Sequence, residues 1–254
     1  MPYFSPGTPR VLAHRGLATA VVENTLAAFA AASAAGARYV ETDAHATADG
    51  VAVLVHDPEI RSAGRRHTIR DCSLARLRQI DLGGGAVVPT LSEALTAFPE
   101  LRFNIDVKAD DAPEAVAAAV LEARAGDRVL ITSFDEGRRR RTLAALADAG
   151  LSTIATAASS PVVVRALFVS LLGSLRLAER LLDGVHAMQV PERRGPLRVV
   201  SPRFLRTMHR AGIEVHVWTV NDPADMERLL DLGVDGIVTD RCDLAVQVAA
   251  RREG

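Results

Sequence analysis

Four stretches of this 254-residue chain place ionisable residues where the flanking side chains read as buried strand. They are His14-Arg15 ending VLAHRG, Glu41 and Asp43 in YVETDAH, His56-Asp57 ending VAVLVHD, and Asp106 and Lys108 in FNIDVK. Strand side chains alternate, so Glu41 with Asp43, and Asp106 with Lys108, each share one face. Burying so much charge is costly unless it meets something of complementary sign, such as a metal cation together with an anion. Glu41, Asp43 and Asp106 offer hard oxygen ligands suited to Mg²⁺ or Ca²⁺. Arg15 and Lys108 supply fixed positive charge for an anion, and Gly16 allows close approach to the backbone. His14 and His56 lie on different elements, so one can protonate a leaving oxygen while the other accepts a proton from a nucleophile. A phosphate ester suits both signs at once. The structural alternative is a salt-bridge cluster of the same carboxylates with Arg15 and Lys108.

Lys108 sharpens the reading. Of 30 lysines and arginines it is the one lysine, leaving 29 arginines, and it stands beside Asp106. Most lysines are solvated, but the alternation of Phe103, Ile105 and Val107 argues for a half-buried strand here.

The elements that must position these residues alternate. Candidate strands run over Val11 to His14, Tyr39 to Asp43, Arg102 to Lys108, Val129 to Ser133, Leu151 to Ala155, Val185 to Val190, Glu214 to Val220 and Gly236 to Asp240. Between them lie Ala- and Leu-rich helical stretches at Thr25 to Ala35, Pro113 to Ala125, Gly137 to Ala149, Pro202 to Ala211, Pro223 to Leu232 and Asp243 to Arg251. Eight strand-helix units imply an α/β fold closed into a (β/α)8 TIM barrel, whose C-terminal rim carries chemistry. His14, Asp43 and Lys108 fall at that rim. A single domain over residues 10–250 accounts for the chain. The Asp49-Gly50 turn sends Val51 to His56 back against the second strand. Residues 57–89, with Arg61, Arg65, Arg66, Arg70 and the Gly83-Gly84-Gly85 run, read as a small insertion without a clear strand, too short for a core of its own.

A net charge of −1 provides no basic field for nucleic acid or anionic membranes. The segment MPYFSPGTPR shows no signal-peptide pattern, and Cys72 and Cys242 are far apart, which suits reduced thiols and a cytoplasmic location. The longest apolar run, Pro161 to Leu172, contains Arg165 and falls short of the ~20 residues a membrane span needs. It reads as a core-facing helix or as a greasy lid making weak interfacial contact. Trp218, the only tryptophan, shares a strand face with Glu214 and His216 and is a candidate wall for the substrate; Gln189 is a weaker one. The oligomeric state is not readable.

In order along the chain, HRG, ENT (Glu23 to Thr25), ETD, the DG turn followed by HD, PTLSEAL (Pro89 to Leu95), NIDVK, SFD (Ser133 to Asp135), WTVN (Trp218 to Asn221) and DGIVTD (Asp235 to Asp240) resemble the glycerophosphodiester phosphodiesterase family, within the phospholipase-C-like phosphodiesterases. The resemblance runs from Val11 to Asp243. It implies a metal-dependent hydrolase of glycerophospholipid metabolism that releases sn-glycerol 3-phosphate and an alcohol from small glycerophosphodiesters. It implies His14 and His56 as the acid/base pair, Arg15 and Lys108 as ligands of the substrate phosphate, and Glu41, Asp43 and Asp106 on Mg²⁺ or Ca²⁺. Glu23 would support the site or serve the start of the next helix. Many members carry glutamate at the position of Asp106, and the shorter arm shifts the metal or admits a water. Sphingomyelinase D-like or lysophospholipase D-like cleavage of choline lipids, and a non-catalytic head-group binder, are the alternatives. Two-carboxylate glycoside hydrolysis leaves Arg15, Lys108 and the histidines unexplained.

Overall fold

Eight parallel strands line up in a computed structural model that describes residues 1–5, 7–62 and 64–252; Ala63, within the expected insertion, lies outside them. The strands are β1 (Arg10–His14), β2 (Tyr39–Ala46), β3 (Arg102–Val107), β4 (Val129–Thr132), β5 (Ala155–Thr156), β6 (Ala187–Val190), β7 (Glu214–Val217) and β8 (Gly236–Thr239). Their order is β5-β4-β3-β2-β1-β8-β7-β6. Between β5 and β6 the ring is drawn together by a parallel bridge from Ala157 to Ala187, with His186 N–H donating to Thr156 O at 3.0 Å. This is the expected TIM barrel.

Alternation along each strand sorts the side chains into layers. Outward-facing Val40, Phe103, Ile105, Val107, Val129 and Ile131 pack against helices Leu26–Ala34 and Pro113–Glu122, where Phe29 meets Phe103 edge-on at 5.7 Å. A second cluster, with Met188, Val215, Val217 and Ile237, packs against the later helices. Inside the barrel the apolar content is thin: Leu12, Tyr39, Leu130, Ala155, Ala157, Ala187 and Val238, with Tyr3 from below. The other inward positions are polar or charged, and the site is built from them.

The helices begin where side chains can satisfy free backbone N–H groups. Thr25 accepts from Ala28 N, Asp135 from Arg138 N and Ser201 from Phe204 N. Thr90 and Glu93 form a reciprocal capping box at helix Leu91–Ala97.

Four expectations change. The fifth strand begins at Ala155, because Leu151 finishes the preceding helix instead, its N–H donating to Leu146 O past left-handed Gly150. The seventh stops at Val217, which places Trp218 just beyond its end. Residues 57–89 do contain strand: Glu59–Ser62 pairs antiparallel with Arg65–Thr68. Arginine-rich strands lack the apolar alternation that marks a strand in sequence. The segment also gathers a small core of Val53, Ile60, Ile69, Leu77, Ile80 and Val88. The ribbon expected at Val51 to His56 forms as Ala52–Leu54 against β2, with His45 opposite Val53.

Candidate active site

His14 ends β1 opposite Glu41 of β2, and Asp43 of β2 lies opposite Asp106 of β3. That register brings the charged residues of three adjacent strands to one rim. A cavity of about 580 Å³ opens there, lined by His14, Arg15, Glu41, Asp43, His56, Asp106, Lys108 and Trp218 and by the weaker candidate Gln189.

The turn after β1 is what aims Arg15. Arg15 and Gly16 both have left-handed backbone, at φ 56° and 86°. A Cβ on Gly16 would come within 2.7 Å of the Ala28 carbonyl carbon, so only glycine fits. The Arg15 N–H donates to Glu41 O at 2.9 Å, Nη1 to Glu23 at 2.8 Å, and Nε lies 3.1 Å from Asp43. Glu23 therefore serves the arginine, and the helix start is capped by Thr25.

Lys108 spans two carboxylates, with Nζ 2.9 Å from Asp43 Oδ1 and 2.8 Å from Asp106 Oδ2. Asn24 Nδ2 donates to the other Asp43 oxygen at 3.0 Å. Burial alone would raise the Asp43 carboxyl, but Lys108, Asn24 and Arg15 outweigh it and hold the pKa low. Glu41 is left in the opposite state. Its burial, with Asp43 and Asp106 nearby, pushes its pKa well above the usual carboxylate range. Burial also raises Asp106, with Lys108 only partly offsetting it. Lys108 keeps its proton more tightly than a free lysine, because Asp106 and Asp43 overcome its desolvation.

Each histidine is oriented by an aspartate. His14 Nδ1 lies 2.6 Å from Asp240 Oδ1, and Asn221 Nδ2 donates to Asp240 Oδ2 at 2.7 Å. Burial would raise Asp240, yet His14 and Asn221 lower its pKa, so the carboxylate is ionised and can only accept. The proton on neutral His14 accordingly sits on Nδ1, leaving Nε2, 3.9 Å from Glu41, as the free base. His56 Nδ1 pairs with Asp57 at 2.8 Å in the same manner.

The donor set suits a hard cation. Three carboxylates share the cavity, two of them with raised pKa, and Asp106 Oδ1 is buried without a hydrogen-bond partner. A buried acceptor with no donor is costly, and a cation would satisfy it. The carboxylates do not form a ready-made ligand set, however: among the described residues no three His, Cys, Asp or Glu side chains stand together as a metal site. The Lys108 ammonium lies between Asp43 and Asp106 instead.

Some contributors went unseen in sequence. Asp240 belongs to the DGIVTD motif, but its partner His14 is 226 residues away and is met only because β8 pairs with β1. Phe134, in SFD, stands edge-on to Trp218 at 5.9 Å, with Lys108 Nζ 5.8 Å from its ring centre. Asn104, opposite Glu41 in the register of β2 and β3 and lining the same cavity, donates to Gln189 at 3.2 Å.

A match to the model of the glycerophosphoryl diester phosphodiesterase family covers residues 14–244. The chain belongs to that family. It is a hydrolase of phosphodiester bonds. A Mycobacterium tuberculosis protein named probable glycerophosphodiester phosphodiesterase 2 is 40% identical over 95% of this chain and 90% of its own length. The crystal structure of a glycerophosphodiester phosphodiesterase from Agrobacterium tumefaciens superposes with a TM-score of 0.73 at 25% identity, covering 97% of this chain and 100% of that one. An Oleispira antarctica phosphodiesterase, solved in complex with the product sn-glycerol-3-phosphate, shares the fold with a TM-score of 0.74 at 24% identity, over 94% and 96% of the two chains.

Proposed function

We propose that this member of the family hydrolyses glycerophosphodiesters to sn-glycerol 3-phosphate and an alcohol, using a divalent cation, Mg²⁺ or Ca²⁺, held by Glu41, Asp43 and Asp106. The observation that carries the reading is the uncompensated negative charge at the rim. Buried Glu41 and Asp106 have raised pKa values and Asp106 Oδ1 has no partner, while Arg15 and Lys108 stand in the same cavity. When bound there, the cation supplies Lewis-acid stabilisation of a phosphoryl oxygen. Arg15 and Lys108 bind the phosphodiester anion, and for Lys108 this means releasing one of its two carboxylates. His14 Nε2 and His56 handle the two proton transfers, taking one from the nucleophile and delivering one to the leaving oxygen. Asp240 and Asp57 keep the imidazoles in the required tautomer. Trp218, backed by Phe134, walls the substrate. We also place the domain as one unit over residues 10–250 and the enzyme in the cytoplasm; the two free thiols support the latter. No helix among the described residues is long and apolar enough to cross a membrane.

Phosphorus NMR tests the reaction. Incubation with glycerophosphocholine, glycerophosphoethanolamine and glycerophosphoinositol, each with Mg²⁺ or Ca²⁺, should yield sn-glycerol 3-phosphate, and a chelator should abolish its formation. Binding of glycerol phosphate without any turnover would instead favour a head-group binder. Calorimetry should show weaker cation binding by Asp106→Asn, and unchanged affinity would remove Asp106 from the ligand set.

A further inference from the structure

The strand motif YVETDAH ends in His45, which shares the strand face of Glu41 and Asp43 by alternation and is 5% exposed. It does not line the catalytic cavity. Its Nε2 lies 3.2 Å from the backbone carbonyl oxygen of His56. A carbonyl only accepts, so the imidazole donates there, and it does so whether protonated or neutral with its proton on Nε2. The contact extends a backbone ladder by one residue. The ribbon Ala52–Leu54 pairs with β2, and Val55 N–H donates to Asp43 O at 3.1 Å. Beyond Val55 the ribbon makes no further backbone hydrogen bond to β2 among the described residues.

His56 needs such an anchor. It lines both the catalytic cavity and a second cavity of about 590 Å³ that it shares with His45, Asp57 and Lys108, so packing does not hold its ring. Its side chain is 39% exposed, and Asp57, 2.8 Å from its Nδ1, is 74% exposed and is the very next residue. His14 is held differently. Its partner Asp240 arrives from just past β8 and is braced by Asn221. For His56 and Asp57 the fixed point is the peptide group between them. The His56 carbonyl belongs to that planar unit, so one hydrogen bond to it sets the direction in which both side chains leave the backbone.

We propose that His45 is a positioning residue for proton transfer: it holds the His56–Asp57 peptide so that the His56 imidazole stands within reach of the reacting oxygen. The inference rests on the acid/base role proposed for His56 and names the residue that keeps that imidazole in place. His45 stays outside the substrate's cavity and, among the described residues, makes no hydrogen bond to Glu41, Asp43 or Asp106. Its loss therefore acts on the chemical step and leaves substrate and cation binding alone. Displacing a reacting group by about 1 Å costs up to ~10²-fold in rate. A side chain that served only to tie the ribbon to the barrel would instead lower stability without slowing the folded enzyme.

The test compares wild type with His45→Met, which fills the space without a donor, and His45→Gln, whose amide still reaches the His56 carbonyl. With glycerophosphocholine and Mg²⁺ or Ca²⁺, His45→Met should lose about 10-fold in kcat and keep KM within about two-fold. His45→Gln should recover kcat to within about three-fold of wild type. Thermal melting establishes that each variant is folded at the assay temperature. If His45→Met does not fold, His45→Asn, whose shorter amide falls short of the carbonyl, takes its place with the same expectations. Long-range ¹H–¹⁵N NMR of the histidine-labelled protein reads the contact without turnover. His45 should carry its proton on Nε2, and the His56 ring signals should move in His45→Met and return in His45→Gln while those of His14 stay. Wild-type kcat in folded His45→Met, a folded His45→Gln as slow as His45→Met, or a His45 proton on Nδ1 overturns the proposal. If wild type turns over no glycerophosphodiester with either cation, the phosphodiesterase reading fails by itself. His56 ring signals that respond to His45→Met then support the positioning contact, and unmoved signals overturn it.

Discussion

Charge is buried at both ends of this barrel, and the two clusters are resolved in opposite ways. At the base, Arg10 holds Glu214 through Nε at 2.7 Å and Nη2 at 2.8 Å, donates to Tyr39 Oη at 2.6 Å and to Phe4 O at 2.7 Å, and stacks over the rings of Phe4 and Tyr39. His216 completes the pairing at 3.0 Å from Glu214, in space left by Gly236, where a Cβ would come within 2.8 Å of the imidazole. At the rim, three carboxylates share Lys108 and Arg15, one carboxylate oxygen has no partner, and Glu41 is driven toward its neutral form. At the base each carboxylate oxygen of Glu214 is paired within the chain, although Tyr3 Oη and Arg102 Nε beside the cluster have no hydrogen-bond partner, whereas at the rim a carboxylate oxygen itself is left open. A buried charge cluster is therefore evidence of a site only when its partners do not add up within the chain.

The largest effect expected from this contrast is on turnover at the rim. His14→Ala and His56→Ala should each cost 10²-fold or more in kcat, as removal of a general acid or base does, with thermal melting close to wild type because both imidazoles are partly solvated. Near wild-type rates in both variants would show that proton transfer does not pass through them. Lys108→Met should fall in the same range through lost phosphate and transition-state stabilisation.

At the base the sign of the trade reverses. Burial would raise Glu214, but hydrogen bonds from Arg10 and His216 bring its pKa down to about 2. A lowered folded pKa contributes stability that is complete above the unfolded value of about 4.3 and is lost as pH falls toward 2. Glu214→Gln should thus cost about 3 kcal/mol at pH 7 by denaturant melts, lose most of that difference near pH 2, and keep kcat within a few-fold. A large activity loss in a variant still folded at the assay temperature would show that the two clusters are coupled through His216, Gln189 and Asn104, which are linked by hydrogen bonds of 3.4 and 3.2 Å.

The rim was legible in the sequence because strand alternation and strand-end position are local: His14, Glu41, Asp43, Asp106 and Lys108 could be assigned to one face without knowing which strands pair. The base was not. Arg10 lies just outside the strand expected at Val11 to His14, and Glu214 and His216 read only as companions of Trp218, because their satisfaction depends on β1 and β7 each pairing with β8, a closure that no short spacing encodes. The same limit hid Asp240 as the partner of His14. Residues 59–68 escaped for a different reason, their strands being arginine-rich with only Ile60 turned inward. Helix 160–172 was ambiguous between core and lid because it is apolar toward the barrel and apolar toward the outside.

Asp240 offers a smaller effect that tests how the rim is organised. Replacing it by Asn removes the charge that keeps the proton on Nδ1 of His14, and the amide can donate as readily as accept. Asp240→Asn should lower kcat about 10-fold and leave KM for glycerophosphocholine and cation affinity near wild type, since Asp240 faces the imidazole and Asn221. A change confined to KM would move Asp240 from positioning the base to binding the substrate.

The smallest expected effect is the sharpest test of the contrast, because it uses the same Glu-to-Gln change at the other end of the barrel. Glu41 has its pKa raised by burial and by Asp43 and Asp106. A raised folded pKa means that its favourable contribution is complete below the unfolded value and is lost as pH rises through the folded one, so in the cation-free enzyme Glu41 burdens the fold at neutral pH. Gln carries no such penalty. In the presence of a chelator, Glu41→Gln should raise stability by about 1 kcal/mol at pH 7.5, as the relief of strain at a functional site commonly does, and the gain should vanish near pH 4. Adding Mg²⁺ or Ca²⁺ should stabilise the wild type and not the variant, reversing the order. If Glu41→Gln destabilised the chelated protein at pH 7.5, as Glu214→Gln is expected to do at the base, the carboxylates of the rim would be as well matched internally as those below, and the argument from unsatisfied charge to a cation would fail.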